Sequence, residues 1–199
     1  MKCAAVVLAA GNSTRMGEQK VLLSFNGVTV IEHIVARLAA STVSETIVVV
    51  GRDAESIRSA LINAPVTIVD NPDYEQGMLS SVRSGLAAVK DRFDASLICL
   101  GDQPAIQTSA INAVVRAGSL DGSRIIVPVY RDRRGHPLYI PSTYWPKVTE
   151  SYDGTGLRGL LDEFSDDVQH LSLDESWILD DMDYPVDYQR ELERLENGD

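Results

Sequence analysis

Short apolar, β-branched runs alternate with segments of helical period along most of this chain, and that alternation limits its possible folds more than any single motif does. The runs 4–8, 46–50, 66–69, 95–100 and 125–129 read as strands, with 137–140 as one more. Between them, 30–40 carries Ile31, Ile34, Val35 and Leu38 on one helical face, and 79–89 carries Val82, Leu86 and Val89. The stretches 53–62 and 108–117 read as helices with Asp53 and Thr108 as caps. Continuously apolar strands joined by amphipathic helices build right-handed βαβ units, so a mainly parallel sheet covered on both faces is expected. Ligands of such sheets bind at the carboxyl ends of the strands. That rule sets Gly11, Gly51, Asp70 and Gly101-Asp102 along one edge. The stretch 130–136, with Arg131, Arg133 and Arg134, breaks the pattern and reads as a hairpin or insertion that adds a small antiparallel element. Only 191–199 reads as a fraying end.

The 199 residues suit one domain spanning 1–199, with a sizeable core. A net charge of −11 argues against a nucleic-acid surface and against anionic membranes. The two cysteines, Cys3 and Cys99, each sit in an apolar run and read as buried thiols in a reducing compartment, so a cytoplasmic location is expected. Met1-Lys2 followed by 3–10 imitates a secretory signal, but cleavage near Ala10 would remove the first strand. No run approaches the ~18 apolar residues of a membrane span.

Where the first strand ends, Leu8-Ala9-Ala10-Gly11 passes into Asn12-Ser13-Thr14-Arg15-Met16-Gly17-Glu18-Gln19-Lys20. Small side chains let backbone N–H groups approach an anion, and Arg15 and Lys20 add a planar cationic fork and a mobile point charge. The segment lacks the closing Gly-Lys-Ser/Thr of a P-loop and the third glycine of a dinucleotide fingerprint. A phosphate cradle of another kind is one reading, a plain tight connection the other. Gly101-Asp102-Gln103-Pro104 offers a carboxylate at a strand's carboxyl end, suited to a hard cation such as Mg²⁺ or to shaping its own turn. Asp180-Asp181-Met182-Asp183 is a late acidic run in which Asp181 and Asp183 share a face if extended. Ser80 and Ser81, after Asn71-Pro72 and Gly77-Met78-Leu79, stand where they could cap a helix or meet a ribose or phosphate. His136 lies beside Arg133 and Arg134, a combination that could receive an anionic second substrate. No nucleophile elbow or Cys/His pair is present, which phosphoryl or nucleotidyl transfer tolerates because there the protein mainly positions substrates and stabilises charge.

Together these segments resemble the MobA-like NTP-transferase family, and within it the molybdenum cofactor cytidylyltransferases. The carriers are Leu8–Gly17 with Lys20, Asn71-Pro72 with Gly77–Ser81, Gly101–Pro104, Gly135-His136-Pro137, Asp153–Arg158 and Asp181–Tyr188. The resemblance implies a Rossmann-like three-layer sandwich of the nucleotide-diphospho-sugar-transferase type. It also implies Mg²⁺-dependent transfer of CMP from CTP to the terminal phosphate of a molybdopterin-type cofactor, with a molybdoenzyme as client. In the implied site, Arg15 and Lys20 hold the β- and γ-phosphates. Leu8, Ala9, Ala10 and Gly11 meet the nucleotide largely through backbone groups, with Asp70 and Ser80 as further contacts. Asp102, with Asp181 or Asp183, holds the metal, and Arg133, Arg134, His136 and Arg158 face the acceptor. Ala10 resembles the cytidylyl branch, since guanylyl-transferring relatives typically carry glycine there. The chain departs from the family pattern at Tyr184 and Val186, and Asp153–Gly156 is one residue longer than usual. A sugar-phosphate or alcohol-phosphate nucleotidyltransferase, and a non-catalytic nucleotide-binding module or cofactor chaperone, are the competing readings.

Overall fold

A computed structural model of the chain describes residues 1–11 and 16–197. Among the described residues, ten strands and seven α-helices follow in order: β1 (Cys3–Ala9), β2 (Ser24–Phe25), β3 (Val28–Thr29), α1 (Val30–Ala39), β4 (Glu45–Val50), α2 (Ala54–Ala60), β5 (Val66–Asp70), α3 (Met78–Val89) and β6 (Ala95–Leu100). The second half continues with α4 (Thr108–Asp121), β7 (Ile125–Tyr130), β8 (Arg133–Arg134), β9 (Leu138–Pro141), α5 (Trp145–Glu150), α6 (Leu157–Glu163), β10 (Val168–Ser172) and α7 (Pro185–Asn197). The main sheet runs β10-β7-β9-β6-β1-β4-β5, with β8 paired to β7, while β2 and β3 form a separate hairpin. β5, β4, β1 and β6 are mutually parallel, as are β7 and β10. The antiparallel pairs of the main sheet all come from β8 and β9. The expected mainly parallel sheet and its antiparallel addition at 130–140 are thus what the chain forms.

Strand periodicity explains the three layers. Cys3, Ala5, Val7 and Ala9 of β1 point into one core with α1, α2, α4 and α7, whereas Ala4 and Val6 point into the other with α3, α5 and α6. Two helices approach the sheet through glycines. A Cβ on Gly85 of α3 would lie 2.2 Å from Val6 Cγ1, and one on Gly118 of α4 would lie 2.3 Å from the fully buried ring of Tyr139. Ordinarily Gly→Ala inside a helix gains about 1 kcal/mol. At Gly118 the clash with a ring that has nowhere to move outweighs that gain, so Gly118→Ala is expected to cost ~1–3 kcal/mol in a urea melt. A variant as stable as the parent would show that the helix simply shifts outward.

Several local expectations are corrected. The stretch expected to fray is helical as far as it is described: α7 runs on to Asn197, and Glu191 is 2% exposed, while 198–199 lie outside the described residues. Asp53 begins α2 without capping it, because its carboxylate instead accepts from Gln19 Nε2 at 2.8 Å. Thr108 does not cap α4; its hydroxyl donates to the Arg37 carbonyl, and Gln107 stands at the N-cap. The stretch 130–136 is indeed a hairpin, turning through Arg131 and Asp132 at positive φ. Cys3 and Cys99 are buried free thiols, and burial pushes the Cys3 thiol up to about 12. Among the described residues no helix is long and apolar enough to cross a membrane.

Candidate active site

From β1 the chain steps to β4 and β5 on one side and then returns to place β6 on the other. The resulting switch point, between β1 and β6, is where a parallel sheet opens a crevice. A cleft of about 550 Å³ lies there, lined by Leu8, Ala9, Ala10 and Gly11 from the end of β1 and by Gly101 and Asp102 after β6. Its other walls are Gln19, Lys20 and Val21, the stretch with Tyr74, Glu75, Gly77, Met78 and Ser81, and Asp181. The turn after β6 is held tightly against β1. Gly101 N donates to Leu8 O at 3.0 Å, and a Cβ on Gly101 would sit 2.7 Å from that oxygen. Only glycine permits this approach, which keeps Asp102 beside the end of β1.

Lys20 is the centre of the charge arrangement. Its ammonium donates to Asp102 Oδ2 and, at 3.0 Å, to Asp183 Oδ1. Burial opposes the charge on Lys20, but Asp102 and Asp183 outweigh it and hold the pKa above the ordinary lysine value. Asp181 shows the opposite balance. Burial, and then the charges of Asp102 and Asp183, raise its carboxyl above the usual range. Among the described residues, the carboxylates of Asp102, Asp181 and Asp183 gather near the Lys20 ammonium, a concentration of negative charge suited to a divalent cation. Among the described residues no three His, Cys, Asp or Glu side chains group as a ready-made metal cage. Mg²⁺ does not require one, since it commonly binds through one or two carboxylates completed by water and substrate phosphates. The oxygen donors of Asp102, Asp181 and Asp183 fit that ion.

The remaining sequence candidates divide by position. Ser81 reaches the cleft, while Ser80 lies behind it, donating to Gly77 O and accepting from Asn71 Nδ2, both at 2.8 Å. Buried Asn71 also donates to Ser81 Oγ at 3.0 Å, so it organises this wall from underneath. Asp70 is exposed at the end of β5, ion-paired with Arg58 at 2.6 Å, and is not among the cleft's lining residues. Arg133 and Arg134 are exposed on β8, and Arg158 is exposed in the first turn of α6. His136 follows β8, its N–H donating to Ile178 O at 3.0 Å. Burial lowers the His136 imidazole to about 4 despite the opposing pull of Asp102, so near neutrality it offers hydrogen bonds rather than charge. Arg15 lies outside the described residues.

Among the cleft residues that sequence reasoning missed, Gln19, Tyr74 and Met78 shape its walls. Gln19 bridges Gly11 O (3.2 Å) and Asp53, closing the wall between the β1 and β4 ends. The Tyr74 ring packs over Gly51, where an added Cβ would come within 2.8 Å of it. Met78, 52% exposed, presents an apolar surface to the cleft. The segment holding Tyr74 and Met78 was conspicuous, but nothing in one sequence tells which of its side chains turn inward.

A family model of the MobA-like NTP transferase domain matches residues 5–170. The chain is 27% identical over 190 residues to the molybdenum cofactor cytidylyltransferase of Escherichia coli K12, with 95% of each covered. It is 31% identical over 169 residues to the nicotine blue oxidoreductase of Paenarthrobacter nicotinovorans, covering 78% of this chain and 79% of that one. Among solved structures, Rv0371c of Mycobacterium tuberculosis H37Rv in complex with manganese superposes with a TM-score of 0.82 at 26% identity, over 97% of this chain and 99% of that one. The sheet order and two-sided helix cover are those of the nucleotide-diphospho-sugar transferase fold. With the matched stretch running from the first strand into the last, and with a cleft at the switch point, the chain belongs to the MobA-like NTP transferase family of nucleotidyltransferases.

Proposed function

We propose that this chain transfers CMP from CTP to the terminal phosphate of a molybdopterin-type cofactor, releasing pyrophosphate. The observation that carries the reading is Lys20, held between Asp102 and Asp183 at the mouth of the β1/β6 crevice. A cytidylyltransferase matching over 95% of the chain, and Ala10 directly after β1, where the nucleotide base would sit, favour CTP and this acceptor. The backbone of Leu8, Ala9, Ala10 and Gly11 would face the nucleotide, with Tyr74 and Met78 supplying apolar wall.

In the reaction an acceptor phosphate oxygen attacks the α-phosphorus of CTP. The bond from that phosphorus to the oxygen bridging to the β-phosphate breaks, and its electron pair leaves with pyrophosphate. An acceptor phosphate is already ionised near neutral pH, so no general base is needed. Lys20, with Arg15, would hold the β- and γ-phosphates and stabilise charge as it gathers on the departing pyrophosphate. Bound Mg²⁺ would supply Lewis-acid stabilisation of the phosphate oxygens. Asp102, with Asp181 or Asp183, would hold it; the manganese complex of Rv0371c supports a divalent ion in this fold. The Lys20 ammonium, at the cleft between Asp102 and Asp183, is the described cation that would meet those phosphates. The exposed Arg133 and Arg134, the neutral His136, and Arg158 would line the acceptor's approach.

Pyrophosphate release measured across CTP, GTP, ATP and UTP, with and without molybdopterin cofactor, tests this directly. The expected result is release with CTP only when the cofactor is present. Release driven instead by a sugar phosphate or alcohol phosphate would move the acceptor assignment, and none with any acceptor would leave a nucleotide-binding module.

A further inference from the structure

Bonds within the described residues pin the acidic segment that turns Asp183 onto Lys20 at its start, middle and end. At its start, Asp180 Oδ2 accepts from Arg194 Nη1 at 2.7 Å. In its middle, the Met182 N–H donates to Asp102 O at 3.1 Å while the Met182 side chain is fully buried. At its end, Tyr184 N donates to Asp187 Oδ2 at 2.9 Å in the first turn of α7. The first and last pins both come from α7, which lies beyond the 5–170 family match. Arg194 is well placed to act across that distance. The same Nη1 also donates to Glu191 Oε1 at 3.0 Å, and Glu191 is 2% exposed, so swinging the guanidinium away would cost a buried carboxylate one of its two cationic partners. Glu191 is fixed in turn by Arg190 at 3.3 Å. Asp180 brings a fourth negative charge to a segment already crowded by Asp181, Asp183 and Asp102, and Arg194 neutralises it.

We infer that Arg194 is a positioning residue for the active site: through Asp180 it holds the acidic segment in the register that sets Asp183 against Lys20 and Asp181 in the cleft. The inference builds on the proposed metal-dependent transfer, but its geometric core does not depend on any metal. Arg194 acts only through the segment and contacts no substrate. An arginine is suited to this by reach, since its longer side chain carries Nη1 to Asp180 and Glu191 together, where lysine is shorter.

Amide exchange at Met182, followed by NMR in the intact chain, reads the segment's position without nucleotide or metal. Arg194→Gln is expected to speed exchange at Met182 by about tenfold while the amides in the middle of α7 keep their protection. Asp180→Ala cuts the same pair from the other end and leaves the Arg194–Glu191 bond in place, so it should give the same acceleration even if Arg194→Gln folds poorly. The double variant should be no worse than either single one, and Arg194→Lys should recover part of the protection. Titration with Mn²⁺ in the presence of CTP then reports the functional consequence, an affinity about tenfold weaker in both variants. Unchanged exchange at Met182 in both variants overturns the inference. So does loosening of all of α7 together with Met182, which would make Arg194 a simple helix anchor. If Met182 loosens in the variants but the parent chain binds no Mn²⁺, the positioning role stands and the metal-dependent reading falls.

Discussion

Asp102→Ala is expected to abolish metal-dependent pyrophosphate release, a loss of about 10³-fold or more, while the chain remains folded. The size follows from chemistry: a Lewis acid at the phosphates supplies several kcal/mol to the transition state, and each 1.36 kcal/mol is a factor of ten. The intact fold follows from how the turn is held. Gly101 N to Leu8 O and Met182 N to Asp102 O are backbone bonds that the substitution leaves in place, and Lys20 keeps Asp183 as its partner. Circular dichroism and thermal melting should therefore track the parent while turnover vanishes. Turnover near the parent's level would remove Asp102 from the metal site altogether.

Lys20→Ala should lower kcat by about 10²–10³-fold, the loss typical of one donor that strengthens its hold in the transition state. The charge arrangement gives this variant a second signature that separates it from Asp102→Ala. Without the ammonium, Asp102 and Asp183 lose the counter-charge they share, with Asp181 nearby. A divalent cation would then be held at least as tightly as before, even as catalysis collapses. Steady-state kinetics over a Mg²⁺ series would show kcat falling with no rise in the metal concentration required. An effect confined to the KM for CTP would mean that Lys20 only binds substrate. Lys20→Arg is not expected to rescue, because the planar, bulkier fork cannot sit between the two carboxylates as a compact ammonium does.

How much of this was legible beforehand depended on how local the determining physics was. The strand 95–100 was placed to the residue, and α3 to within one residue, because continuous β-branched runs and 3.6-residue apolar spacing are written in adjacent positions. Helix α7 was missed because its apolar contacts, Tyr188, Leu192 and Leu195, are sparse, and charged residues dominate the rest. Its stability comes from docking onto the first core and from the Asp180–Arg194–Glu191 links, which no local pattern announces. The caps failed for a similar reason. Asp53 and Thr108 had the right chemistry for a helix start, but Gln19 and the Arg37 carbonyl, distant in sequence, took their polar groups.

The site divides along the same line. By itself the sequence determined the ingredients: small residues after the first strand, a lysine nine residues beyond Gly11, a Gly-Asp turn, and a late acidic run. Residue type and spacing suffice for that, because they decide which strand ends can carry charge to one edge of a parallel sheet. Only the tertiary structure decided which ingredients meet. It joined Lys20 to Asp102 across 82 positions and to Asp183 across 163, put Ser81 rather than Ser80 on the cleft, and left Asp70 with Arg58 at the end of β5. The physical reason is that Coulombic and hydrogen-bond energies depend on separation in space. Here that separation is set by sheet order and by the close approach of a Gly101 turn to β1, neither of which is encoded at any one place in the chain.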